Sequence, residues 1–77
     1  MEFRLTSHAK KRCLKRLIRI EWIREALNNP MRTEDDPDDA SLVHAFYPVP
    51  ERAFKMLRVV YNENRNPVTI VTAFFDS

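Results

Sequence analysis

The stretch over residues 8–27 constrains this chain most, because it predicts two amphipathic helices that need a surface to dock on. Apolar residues recur at helical spacing along it, with a tight corner at residues 18–20. The predicted apolar side of the first helix, residues 7–17 and the corner, consists of Ala9, Cys13, Leu14, Leu17 and Ile18. Such a stripe must be covered. The rest of the chain therefore has to supply the covering layer.

That layer is predicted to be a β-sheet. Residues 2–5 alternate between polar and apolar, and residues 41–48, 54–61 and 68–75 alternate or are nearly apolar throughout, so each predicts a strand. The last segment is the most β-prone and is expected in the centre of the sheet. Residues 31–40, acidic and broken by a proline, predict a loop or a weak edge strand. The fold class is therefore α+β, with a βααβββ order, a two-helix hairpin and a mostly antiparallel sheet.

Size and composition exclude several classes of protein. The 77 residues suffice for one domain, residues 1–77, without a segment of membrane-spanning or signal-peptide length. The single cysteine, Cys13, is typical of a reducing compartment, so a cytoplasmic location is expected. The chain has no glycine to build a phosphate loop, and its two histidines and one cysteine lack zinc-site spacing. We expect neither a metal nor a cofactor.

Charge is distributed unevenly along the chain. Residues 1–30 carry eight Lys or Arg against three acids, whereas residues 31–53 carry two against six. On the first helix, His8, Arg12 and Arg16 follow at spacings of four and share one side. Lys11 and Lys15 lie beside them. The pattern indicates either a surface that binds polyanions or an ordinary solvated face that balances the acidic middle of the chain.

These residues carry a resemblance to a known family. The pattern His8-x3-Arg12-x3-Arg16, the following Ile18 and the second helix ending at Pro30 resemble small bacterial domains of unknown function that begin with such a helix. The later strands at residues 57–60 and 71–73 are also similar to that family. Its layout resembles the RelE and BrnT types of toxin, small RNA-cleaving or RNA-binding proteins of toxin–antitoxin systems. Where those domains usually place a glycine between the helices, this chain has Leu17.

The resemblance implies a metal-free ribonuclease. Histidine suits proton transfer, and arginine holds phosphate with two parallel hydrogen bonds. The candidate catalytic residues are His8, Arg12, Arg16 and, if its strand faces the helix N-terminus, Thr72. The candidate RNA-binding residues are Lys11, Lys15, Lys55 and Arg58. The other histidine, His44, is expected to be a hydrogen-bonded residue of the core or sheet edge.

The expected partners follow from this assignment. RNA, free or on the ribosome, is the expected ligand, and a cognate antitoxin with an acidic helix or strand is the expected protein partner. No membrane and no small-molecule cofactor are expected. Two alternatives stay open: a non-catalytic protein-interaction module of the same fold, and a nucleic-acid-binding accessory protein without catalytic activity.

Overall fold

The chain folds into two helices packed on a five-stranded mixed sheet, as described by a computed structural model for residues 1–76. The predicted α+β class is therefore confirmed. The elements in chain order are β1 (Phe3–Leu5), α1 (Ser7–Arg16), α2 (Ile20–Asn28), β2 (Arg32–Asp35), β3 (Leu42–Val49), a short 3-10 turn (Pro50–Arg52), β4 (Lys55–Asn62) and β5 (Val68–Asp76).

The strand order is β1-β5-β4-β3-β2, with β1 parallel to β5 and every other pairing antiparallel. The predicted βααβββ order lacks β2, the edge strand that residues 32–35 form against β3. Of the two structures predicted for residues 31–40, a loop or a weak edge strand, the edge strand was therefore right for residues 32–35. The expectation that residues 68–75 lie in the centre is wrong, because β4 takes the middle position and β5 lies between β4 and β1.

Both helices pack on one surface of the sheet, which we call the helix face. α1 lies against β5 and β1, and α2 lies against β3 and β4. The core between the layers contains Ala9, Cys13, Ile18, Trp22, Ile23, Ala26, Leu27, Ala45, Val49, Leu57, Val59, Ile70 and Ala73. The opposite surface, which we call the open face, carries no helix of the described chain.

The buried side of α1 is narrower than the sequence pattern suggests. Ala9 and Cys13 are buried, but Leu14 and Leu17 are 78% and 71% exposed, so their predicted place on the buried side is wrong. Each residue turns the helix by about 100°, which takes Leu14 well away from Cys13. Burial raises the pKa of the Cys13 thiol, in keeping with its place in the core.

Both ends of α1 are set by local hydrogen bonds. The hydroxyl oxygen of Thr6 accepts a hydrogen bond from the Ala9 N–H at 3.0 Å, as a helix cap does. At the other end, Leu17 takes the left-handed conformation, with φ 56° and ψ 43°. A residue with a Cβ atom is strained there, and glycine is not. Leu17 thus occupies a position that favours glycine, as the resemblance implied.

We predict that Leu17→Gly stabilises the domain by about 0.5–1 kcal/mol, because it relieves the left-handed strain and removes an exposed side chain. Leu14→Gly is the matched control, since Leu14 is equally exposed but lies inside the helix. There, glycine should destabilise by about 1 kcal/mol. Urea unfolding of the three proteins measures both changes. Equal destabilisation by the two substitutions would contradict the strain at Leu17.

Candidate nucleic-acid interface

The segment over residues 7–19 is rich in cations and has no acid. It carries Lys10, Lys11, Arg12, Lys15, Arg16 and Arg19. Within residues 1–76, none of these six forms an ion pair. Five of them lie on α1 and Arg19 directly precedes α2. Uncompensated charges of one sign, so close in the chain, sum to a positive potential that attracts phosphates.

His8 and Arg12 are in contact, as the sequence spacing predicts. The Arg12 Nε–H donates to the Nε2 atom of His8 at 3.4 Å. Nε2 therefore accepts, and its lone pair points at the guanidinium. Lys15 lies on the same flank of α1, one turn from Lys11. We call His8, Lys11, Arg12 and Lys15 the cation row.

Arg16 is turned toward the sheet. Its Nη1 donates to the backbone carbonyl of Ala73 at 2.8 Å. β1 pairs only with residues 68–70 of β5, so the later part of β5 has no strand on that side. Arg16 fills one of the open hydrogen-bonding positions there. Of the predicted catalytic residues, the structure thus brings His8 and Arg12 together and gives Arg16 a role in the sheet.

Thr72 lies on the other surface of the sheet. A β-bulge between β4 and β5 pairs Val60 with Thr72 but Tyr61 with Ile70, which leaves Val71 as an extra residue. Thr72 and Val60 form a cross-strand row with His44, on the open face. The expectation that Thr72 adds a hydroxyl near the N-terminus of α1 is therefore wrong, because this bulge and strand pairing turn it away from the helices.

The open face carries a chain of polar contacts around His44. Its Nε2 lies 2.6 Å from Asp36 Oδ1, and its Nδ1 lies 3.4 Å from Arg58 Nη1. Arg58 also donates to Asp76 Oδ2 at 3.0 Å. We call Asp36, His44, Arg58 and Asp76 the open-face network. His44 is hydrogen-bonded at both ring nitrogens, which confirms the reading from sequence.

Aromatic stacking completes the open face. The guanidinium of Arg58 lies 4.4 Å from the centre of the Phe46 ring, and that of Arg32 lies 3.8 Å from it. Both distances fit cation–π contacts. Phe46 is fully buried although no helix covers it. The side chains of Arg32 and Arg58 thus shield Phe46 from water, as the helices shield the core residues on the helix face.

The two surfaces differ in available charge. On the open face, Arg32 and Arg58 are paired with carboxylates: Arg32 with Glu34, and Arg58 with Asp76. Of the predicted RNA-binding residues, Arg58 is thus already paired. Lys55 begins β4, opposite Val49 of β3, and makes no ion pair within residues 1–76. The cations of α1 are therefore free to bind a polyanion, whereas Arg32 and Arg58 on the open face are already paired with carboxylates.

Sequence reasoning missed Asp36, which lies in the segment read as a loop or weak edge strand. Its carboxylate accepts hydrogen bonds from His44 and from the backbone N–H groups of Asp38 and Asp39. The bond with His44 is the main cause of a lowered Asp36 pKa. Only the pairing of β2 with β3 brings this carboxylate to the histidine. The local pattern holds no signal for that pairing.

Within residues 1–76, no group of three or more His, Cys, Asp or Glu side chains is placed to hold a metal ion. Over the same residues, no helix has the length and apolarity that crossing a membrane requires.

Comparison with known proteins now places the chain in a family. The model of the DUF4258 family, a domain of unknown function, matches residues 5–75, so the chain belongs to that family. Among curated proteins and among solved structures, none matches the chain.

We predict that Asp36→Asn destabilises the domain at neutral pH but not in acid. The folded-state pKa of Asp36 lies below the ordinary 3.8, so its contribution is present above that value and is lost as pH falls through the lowered one. Wild type and variant should differ in free energy of unfolding at about pH 7 and converge as pH falls below 3.8 and through the lowered pKa. Urea unfolding across this range measures the difference.

Asp38→Asn is the matched control, because it removes the same charge from the same loop. It also keeps the backbone N–H of residue 38, from which the Asp36 carboxylate accepts a hydrogen bond. It should leave the free energy of unfolding nearly unchanged. A constant difference between wild type and Asp36→Asn at every pH would contradict the charged hydrogen bond.

Proposed function

We propose that this domain binds single-stranded RNA along the cation row of α1. The observation that carries the proposal is the absence of any acid between residues 7 and 19, together with six cations that form no ion pair within residues 1–76. Such a surface attracts any polyanion. The choice of RNA rests on the resemblance to RelE and BrnT toxins and on His8, which lies beside Arg12. A histidine there can remove the proton of a ribose 2′-hydroxyl that attacks the phosphate.

We further propose that His8 and Arg12 cleave the bound RNA without a metal. In the free domain, the lone pair of His8 Nε2 is engaged by a hydrogen bond from Arg12. When Arg12 turns to a phosphate, that lone pair is released beside the same phosphate. His8 then removes the proton of the 2′-hydroxyl, O2′ bonds to phosphorus, and the bond from phosphorus to the 5′-oxygen breaks. The leaving oxygen takes a proton from water, and the hydroxide so formed takes the proton from the His8 imidazolium. The products are a 5′-hydroxyl, a 2′,3′-cyclic phosphate and neutral His8.

In this proposal Arg12 stabilises the charge that develops on the phosphate, since its planar guanidinium can bind two phosphate oxygens at once. Lys11 and Lys15 hold neighbouring phosphates of the strand. Arg16 acts as a positioning residue, because it ties the last turn of α1 to the carbonyl of Ala73.

The wider class follows from the same resemblance. We propose a toxin-type domain of a toxin–antitoxin system, with a two-helix layer on a mostly antiparallel sheet that resembles RelE in layout. A cognate antitoxin with an acidic segment would neutralise the cation row and block RNA. Charge complementarity between that segment and Lys11, Arg12 and Lys15, which form no ion pair within residues 1–76, supports this arrangement.

We predict that affinity for a single-stranded RNA oligonucleotide falls with salt with a log-log slope of about −2, as three phosphate contacts from Lys11, Arg12 and Lys15 require. Lys11→Gln and Lys15→Gln should each reduce the slope by about 0.7. Fluorescence anisotropy over a series of salt concentrations measures these slopes.

Arg65→Gln is the control for charge alone, since Arg65 is an exposed cation of the loop between β4 and β5. It should leave the slope unchanged. A slope near zero for wild type would overturn RNA binding, and a slope reduced equally by Arg65→Gln would show that the cation row is not the binding surface.

We predict that the purified domain cleaves RNA in the presence of a metal chelator and that His8→Ala slows cleavage by about 10²–10⁴-fold, the usual contribution of a general base. His44→Ala is the matched control. It removes the other histidine, whose ring nitrogens are both engaged on the open face, and should retain the rate of cleavage. Gel electrophoresis of the RNA products measures both rates.

Failure of wild type to cleave RNA that it binds would overturn the catalytic part and leave the binding part standing. Induced expression in bacteria tests the toxin class with the same variants. Wild type should arrest growth with fragmented RNA, and His8→Ala should not. Normal growth with intact RNA under wild type expression would contradict the toxin class.

A further inference from the structure

We propose that the groove between α1 and α2 docks an amphipathic, acid-rich helix of a partner protein. This groove lies on the flank of α1 that carries Lys10 and Leu14, whereas the cation row lies on the other flank. The inference therefore goes beyond RNA binding. It rests on shape, exposed apolar side chains and charge at a place that the proposed ribonuclease does not use.

The groove consists of two adjoining cavities of about 240 and 400 Å³. Leu5 and Ile20 line both of them, so the two cavities are immediate neighbours over β1. The smaller cavity is also lined by Cys13, Leu14 and Ile18. Its wall is therefore almost entirely apolar.

Several apolar side chains of this groove are exposed to water. Leu14 is 78% exposed, Ile20 is 42% exposed and Met1, at the far end, is 60% exposed. Single exposed apolar residues are ordinary, but a contiguous set around a depression is typical of an interaction surface. A partner that covers them gains the favourable free energy of removing apolar surface from water.

Charge determines the chemistry of the partner. Lys10 lines the smaller cavity and Arg24 the larger, and neither forms an ion pair within residues 1–76. Glu2 is the single carboxylate on the lining within the described chain. A partner with apolar anchors and flanking Asp or Glu side chains complements such a surface.

The same charges disfavour a second copy of this chain as the occupant. Two such grooves placed together would oppose Lys10 and Arg24 of one copy to those of the other. The acidic segment of a second copy, residues 34–39, has no apolar anchor except Pro37. RNA is disfavoured too, because the smaller cavity is almost entirely apolar and the Glu2 carboxylate lines the larger one.

A helix suits this groove better than a strand. The depression runs between two helices, and a docked helix satisfies its own backbone hydrogen bonds while its apolar stripe meets the wall. A strand would have to extend the sheet at β1, which has only three residues. We therefore assign the occupant as a helix with apolar residues at i, i+3 or i+4, and i+7.

A display library of helical peptides of about 16 residues, roughly four turns, tests the assignment when selected on the full wild-type chain. We expect enriched peptides to combine that apolar spacing with flanking acids. A selected peptide should bind the double variant Leu14→Ala, Ile20→Ala about tenfold more weakly than wild type, as loss of central anchors does. Fluorescence anisotropy measures both affinities, and circular dichroism checks that the variant folds.

Two controls separate this site from the RNA surface. Met31→Ala removes an exposed apolar side chain elsewhere and should keep the affinity for the peptide. Lys11→Gln should weaken RNA binding and keep peptide binding, so the two proposals can fail independently.

The proposal is overturned if no peptide is enriched, if the enriched peptides lack acids, or if the double variant binds them as tightly as wild type. It is also overturned if wild type sediments as a dimer that Leu14→Ala dissociates, because a second copy then fills the groove.

Discussion

The close contact between α1 and β5 is the interaction on which the rest of the molecule depends. Ala9 and Cys13 present small side chains to the sheet, where Ala73 is equally small, so the helix lies near the strand. The Thr6 N–H donates to the Ile70 carbonyl at 3.1 Å, and Arg16 reaches the Ala73 carbonyl. The chain thus passes from strand to helix with a single residue between them, which fixes the rotation of α1. That rotation turns the cation row to one flank and the apolar groove to the other.

The two charged surfaces are built on opposite principles. On the open face, Arg32 and Arg58 are both stacked on Phe46 and paired with carboxylates, so the open-face network holds β2 and its loop against the sheet and leaves little of their charge for a ligand. On α1, cations stand in sequence without a carboxylate among them, which costs folding free energy through mutual repulsion. A domain of 77 residues has little stability to spare, so an uncompensated row of this kind is most readily explained by a ligand that neutralises it.

Local sequence patterns were enough to predict the helices, four of the five strands and the contact of His8 with Arg12, because each depends on neighbours within one turn or one strand. The features that these patterns did not predict depend on pairing between strands that are distant in the sequence. Asp36 meets His44 only through the register of β2 on β3, and the bulge at Val71 places Thr72 away from the helices. Leu14 is exposed because α1 buries only a narrow arc of small residues against the sheet. The hydrophobic pattern of the sequence does not show how narrow that arc is.

We propose that α1, and not the open face, binds RNA. Titration of the isotopically labelled domain with a single-stranded RNA oligonucleotide, followed by amide and side-chain NMR shifts, tests it most directly. We expect the largest shifts on His8, Lys11, Arg12 and Lys15, with His44 and Arg58 little changed. The largest shifts on the open face, or none anywhere, would contradict it.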